Sequence, residues 1–118
     1  MSLEIHSALT ECGICRHSAG MFYTIDCIEI ILKLDPSKKI KICDVYKEVA
    51  KKYARTKSTV AGVVSKSIKT IDFSREVSRK YFGDSGKKTS QYLFDFATKW
   101  KEENKEKEQM NEAKNYKN

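Results

Sequence analysis

Apolar residues recur along this chain at three- and four-residue spacing, the period of a helix with one buried face. Leu3, Ile5 and Leu9 mark a short first segment that ends near Gly13. Ser18 to Leu34 is the strongest pattern, with Phe22, Ile25, Ile28 or Glu29, and Leu32 on one stripe, Cys27, Ile28 and Ile31 widening it, and Asp35-Pro36 ending it. It is predicted as the central core helix. After Ser37-Lys38-Lys39, a third helix is marked by Ile42, Val45, Tyr46, Val49 and Tyr53, capped by Asp44 or by a side chain just before it. Ala54-Arg55-Thr56 breaks the pattern. A fourth helix starts at Lys57 or Ser58 with Thr56 as N-cap and carries Val60, Val63, Val64, Ile68 and Ile71. Ser74 is the expected cap of a short fifth helix that ends at Phe82 and is closed by Gly83. Beyond a flexible basic loop at 83–88, Thr89 or Ser90 caps a sixth, with Tyr92, Leu93, Phe96 and Trp100 in line.

The expected fold is therefore all-α, about six helices with a central helix-turn-helix, filling residues 1–100. Residues 101–118 have almost no apolar content and read as a charged helical extension or a disordered tail.

Composition agrees. One proline and five glycines in 118 residues are few for a fold that needs many tight turns, while five Phe, six Tyr, one Trp and many Ile and Val suffice for one core. The longest apolar run, Ile25 to Leu34, is interrupted by Asp26, Glu29 and Lys33 and is far shorter than the roughly 18 residues of a membrane span, so no membrane association is expected. With no basic-then-apolar leader, the expected compartment is a reducing cytoplasm, where Cys12, Cys15, Cys27 and Cys43 would be buried thiols.

Charge changes the picture once it is divided. The formal net charge is +7. Residues 1–37 carry two basic and five acidic side chains, a net of −3, whereas residues 38–70 carry ten basic and two acidic ones, a net of +8. Residues 71–100 add +2 and the last eighteen are neutral. A lysine-rich solvated face would account for such a window, and so would a surface that neutralises phosphates.

The basic window coincides with the two helices separated by three residues, the helix-turn-helix spacing. Ala50 takes the close-contact position of that motif, Val49, Tyr53, Val60 and Val63 hold the angle, and Ala54 stands where many such motifs have Gly. The second helix would lie in the major groove and offer Lys57, Ser58, Thr59, Gly62, Ser65 and Lys66 to the bases. Lys51, Lys52, Arg55 and Lys69, with Lys87 and Lys88 from the basic loop, are the candidate phosphate contacts. The implied partner is double-stranded DNA.

Over residues 8 to 100 the chain resembles the C-terminal DNA-binding effector domain of the sporulation master regulator, the stage zero sporulation protein A family. Gly13, His17 and Gly20 followed by Phe22-Tyr23, the segment VYKEVAKKYARTKSTVAGVVSKSIKTI, and Tyr81-Phe82-Gly83 before the last helix carry the resemblance. It implies a bacterial six-helix transcription regulator that binds duplex DNA as paired copies, hence a possible homodimer on DNA, with His17 bonding helix ends in the interior. The recognition helix departs from the family where arginines and a glutamate face the bases: those positions hold Thr59, Ala61, Gly62 and Ser65. The chain leaves no room for the family's receiver domain, which implies a stand-alone effector domain or a fragment. The alternative is a protein-interaction module or antagonist with the same fold that has lost base reading.

Other chemistry finds little support. Cys12 and Cys15 with His17 could open a zinc site completed by Cys27 or Cys43, but a second closely spaced pair is missing, so no metal is expected. No nucleophile–base set, paired carboxylates or phosphate-binding glycine loop is recognisable, so neither enzymatic activity nor a cofactor or small-molecule substrate is expected. Tyr92, Phe96 and Trp100 have the spacing of core residues rather than base-stacking ones.

Overall fold

The computed structural model describes residues 3–34 and 38–116, with side chains described as far as residue 104. Among these residues there are six helices and no strand: α1 (Leu3–Cys12), α2 (Ala19–Lys33), α3 (Ile42–Tyr53), α4 (Lys57–Ile68), α5 (Glu76–Phe82) and α6 (Thr89–Tyr116). The all-α expectation holds. No helix is long and apolar enough to cross a membrane among the described residues.

α2 is central, packing against α1, α3, α4 and α6. It is buried on most sides, with Met21, Tyr23, Ile25, Cys27, Ile28 and Ile31 all inside. Ser18 starts it: the hydroxyl accepts from the Met21 amide at 3.1 Å and donates to the Cys15 carbonyl at 2.9 Å, an N-cap of the kind that contributes about 1 kcal/mol. Pro36, expected as its terminator, lies outside the described residues. The second half of the core is aromatic. Tyr81 and Phe82 of α5 meet Tyr92, Phe96 and Trp100 of α6, with Phe96 stacked on Tyr81 at 4.7 Å and on Trp100 at 5.6 Å between ring centroids. α6 crosses residue 100 without a break, and Glu103 still bonds to Lys80 and to the Tyr81 hydroxyl.

Several helix ends differ from expectation, each for a local reason. α5 begins at Glu76 because the Ser74 amide and hydroxyl both donate to Asp72 Oδ1, at 3.0 and 2.6 Å; this turn occupies the residues meant to cap the helix. The same two bonds hold the Asp72 carboxyl below its ordinary range. α4 stops at Ile68 rather than reaching Ile71, since Thr70 Oγ1 donates to the Ser67 carbonyl at 2.6 Å and closes the end. α3 has no side-chain cap; Lys41 holds the cap position and Asp44 sits inside the first turn, where its charge suits the helix dipole.

Two glycines seat the N-terminal third against α4 and the loop after it. A Cβ on Gly20 would fall 1.6 Å from Ser67 Oγ and 2.9 Å from Ser67 Cβ, so α2 and α4 approach closely at this point. Gly13, at φ +113°, lies where a Cβ would come 3.0 Å from the Thr70 carbonyl. Backbone and side-chain bonds lock the same region: the Asp72 amide donates to the Cys12 carbonyl at 2.8 Å, and Arg75 to the Glu11 carbonyl at 2.6 Å. Gly20→Ala is therefore expected to destabilise the protein: overpacking costs about 1–3 kcal/mol, against up to about 1 kcal/mol recovered in helix propensity. A lower urea midpoint than wild type is the expected result.

Candidate nucleic-acid interface

α3 and α4 pack on each other and are joined by Ala54, Arg55 and Thr56. The joint is built from backbone bonds. Ala54 adopts a left-handed conformation, φ 54° and ψ 47°, its amide reaching the Lys51 carbonyl and the Arg55 amide the Ala50 carbonyl at 2.9 Å, the paired bonds of a Schellman end. A non-glycine residue there costs about 1 kcal/mol, which these bonds offset. Thr56 then caps α4: its Oγ1 accepts from the Thr59 amide at 3.1 Å, as expected from the sequence.

Burial along α4 separates two faces. Val60, Val64 and Ile68 are buried, while Ser58, Thr59, Gly62 and Lys66 are exposed, as is Lys69 at the C-cap. Thr59, Gly62, Lys66 and Lys69 follow one another at three- and four-residue spacing, so they share one outward stripe. Nothing lies within 4 Å of a Cβ on Gly62, which leaves the middle of the stripe flat and open. Arg55 is exposed at the head of the helix and Lys51 on the end of α3. No carboxylate occurs between residues 49 and 71.

Not every candidate joins this surface. Lys57 falls on the same helical line as Val60, Val64 and Ile68; it is exposed as the first residue of the helix rather than as part of the outward stripe. Ser65 is half-buried and its Oγ accepts from Thr89 Oγ1 at 3.3 Å, which ties α4 to the start of α6. Thr59 is exposed, with its Oγ1 already accepting from Thr56 at 2.8 Å.

Two phosphate candidates, though exposed, are paired with carboxylates of the protein. Lys52 pairs with Asp26 at 3.1 Å, and Asp26 is a buried α2 carboxylate whose other oxygen accepts from the Tyr53 hydroxyl at 2.5 Å. Burial, together with that bond, pushes the Tyr53 hydroxyl well above its usual range. Lys87 donates to Asp95 at 2.9 Å and to the Phe82 carbonyl at 3.1 Å, and its amide donates to the Tyr92 hydroxyl at 3.0 Å, so this part of the expected flexible loop is anchored. The bond to Asp95 holds the Lys87 ammonium pKa above its ordinary value. Among the described residues, Lys51, Arg55, Lys66, Lys69 and Lys88 make no ion pair. The sequence signal for the Asp26 cluster was an acidic residue inside the most apolar helix; a buried carboxylate requires a partner.

The cysteine and histidine expectations change as well. Cys12 and Cys27 are buried, but Cys15 and Cys43 are exposed. Among the described residues no group of His, Cys, Asp and Glu is placed to hold a metal ion. His17 is exposed rather than interior; it is His6, within α1, whose Nε2 lies 2.8 Å from the carbonyl of Arg16 in the loop before α2. No family model, curated protein or solved structure matches the chain.

Burial, with the Asp26 charge beside it, pushes the Cys27 thiol up to about 12, and burial also raises Cys12. Since the thiolate is the reactive form, a disulfide reagent at pH 8 is expected to label Cys15 and Cys43 rapidly in the native protein and all four cysteines after unfolding. Mass mapping of the labelled peptides checks the assignment.

Proposed function

We propose that this protein binds duplex DNA through α3, the Ala54–Thr56 turn and α4, with α4 as the helix that enters the major groove. The observation that carries the reading is the outward stripe of α4: Thr59, open Gly62, Lys66 and Lys69, bordered by Arg55 and Lys51, in a segment without a carboxylate. Twelve residues give α4 a length of about 18 Å, and the B-DNA major groove is about 12 Å wide, so a helix with a flat, glycine-centred face suits it. The cations are suited to phosphate neutralisation, and the small hydroxyl side chains offer modest base discrimination.

The resemblance to the sporulation effector domain, which rests on the residues quoted for it, extends this reading to a cytoplasmic bacterial transcription regulator that acts on DNA as paired copies and has no catalytic activity. The positions that hold base-reading arginines in that family are Thr59, Ala61, Gly62 and Ser65 here, which favours a different operator and weaker sequence preference.

Salt-dependent anisotropy titrations on a labelled duplex test the reading. Lys66→Gln and Lys69→Gln are each expected to weaken binding and to lower the slope of log K against log salt by about 0.9, the value for one lost phosphate contact. Lys52→Gln should leave that slope unchanged, because Asp26 holds the ammonium. Failure of the wild-type protein to bind any duplex at low salt would sink the proposal and favour the protein-interaction module.

Gly62→Ala separates stability from function. The added methyl meets nothing in the protein and removes a helix-interior glycine, so the urea midpoint should rise, by about 0.5–1 kcal/mol in stability. DNA affinity should fall, because the methyl stands where the helix backbone approaches the groove.

A further inference from the structure

On the side of the molecule formed by α1, α5 and α6, an open groove of about 390 Å³ runs between Glu4, Ala8 and Glu11 of α1 and the rings of Tyr81 and Trp100. The three α1 residues lie at i, i+4 and i+7 and so share one line of the helix. Leu3, next to Glu4 at the start of α1, also lines the groove and is 75% exposed; it and Leu34 are the large apolar side chains exposed among the described residues.

The charges around the groove are unevenly satisfied. Glu103 is bonded to Lys80 and Tyr81, and the Lys80 ammonium lies 5.1 Å from the centroid of the Tyr81 ring. Arg75 pairs with Asp72 and donates to the Glu11 backbone carbonyl. Glu4 and Glu11 are exposed, and neither carboxylate forms an ion pair among the described residues. Two carboxylates about 10 Å apart along a helix, facing an indole ring and an exposed leucine, match a ligand with cations carried on apolar stems. The whole chain carries +7 and repels such a ligand in general, so attraction is confined to the acidic N-terminal third.

We propose that this groove docks a basic amphipathic helix of a partner protein, with two cations seven residues apart meeting Glu4 and Glu11 and the aliphatic residues between them resting on Leu3, Ala8 and Trp100. α1 packs on α2 and α5 and is separate from the α3–α4 surface, so a ligand in the groove does not compete with DNA, and the inference does not rest on the DNA reading.

Trp100 is the single tryptophan of the chain, so its emission reports on the groove directly. The probe is a tryptophan-free 16-residue helical peptide with two arginines seven residues apart and two leucines between them; its control carries glutamates in place of the arginines. The arginine peptide is expected to shift Trp100 emission saturably, the control is not, and the double variant Glu4→Gln, Glu11→Gln is expected to bind roughly fivefold more weakly. Leu3→Ser should weaken binding further, and circular dichroism verifies that each variant stays folded. An unsaturable response, equal binding of the glutamate peptide, or a folded double variant with unchanged affinity would each overturn the proposal.

Discussion

The close approach of α2 and α4 at Gly20 is the contact on which the rest of the arrangement depends. With no side chain between them, Ser67 of α4 sits against the α2 backbone, and this fixes how α4 is rotated about its own axis. Rotation decides everything at the surface. With Ser67 turned inward, Val60, Val64 and Ile68 fill the core and Thr59, Gly62, Lys66 and Lys69 are left facing solvent. Gly13 and the Asp72–Cys12 backbone bond hold the next stretch of chain in the same way, so the acidic N-terminal third acts as the seat for the basic helix.

Electrostatics divides the molecule as sharply as packing does. Of ten basic residues between 38 and 70, exposed Lys52 pairs with a buried carboxylate, and Lys87 further along is held by Asp95. An ammonium drawn to a buried Asp26 gains more than one left in water, because Asp26 would otherwise carry an uncompensated charge in a low-dielectric interior. Lys51, Arg55, Lys66 and Lys69, which form no ion pair among the described residues, lie on or beside α4. The carboxylates Glu4 and Glu11 both lie on α1, away from α3 and α4, so two surfaces of opposite character occupy separate parts of one small domain.

Helix periodicity made much of the fold legible. The six helices, the central place of α2, the Thr56 cap and the aromatic stripe of α6 all follow from spacing and capping chemistry that act within a few residues. Errors fell where a local side chain competes with a helix end: Ser74 bonds to Asp72 instead of capping α5, and Thr70 closes α4 early. They fell also where burial depends on how the helices pack together, as with exposed His17 and Cys15.

The sequence by itself determined that the chain is helical, that its positive charge is concentrated in one window, and that this window holds two helices three residues apart. These are properties of neighbours along the chain. Only the tertiary structure decided which of those cations are available and which face of α4 they share. Lys52 and Asp26 are 26 residues apart, Ser67 and Gly20 are 47 apart, and neither pairing leaves a periodic trace. Long-range contacts are set by which surfaces meet when the core closes, and the candidate interface is what those contacts leave outside.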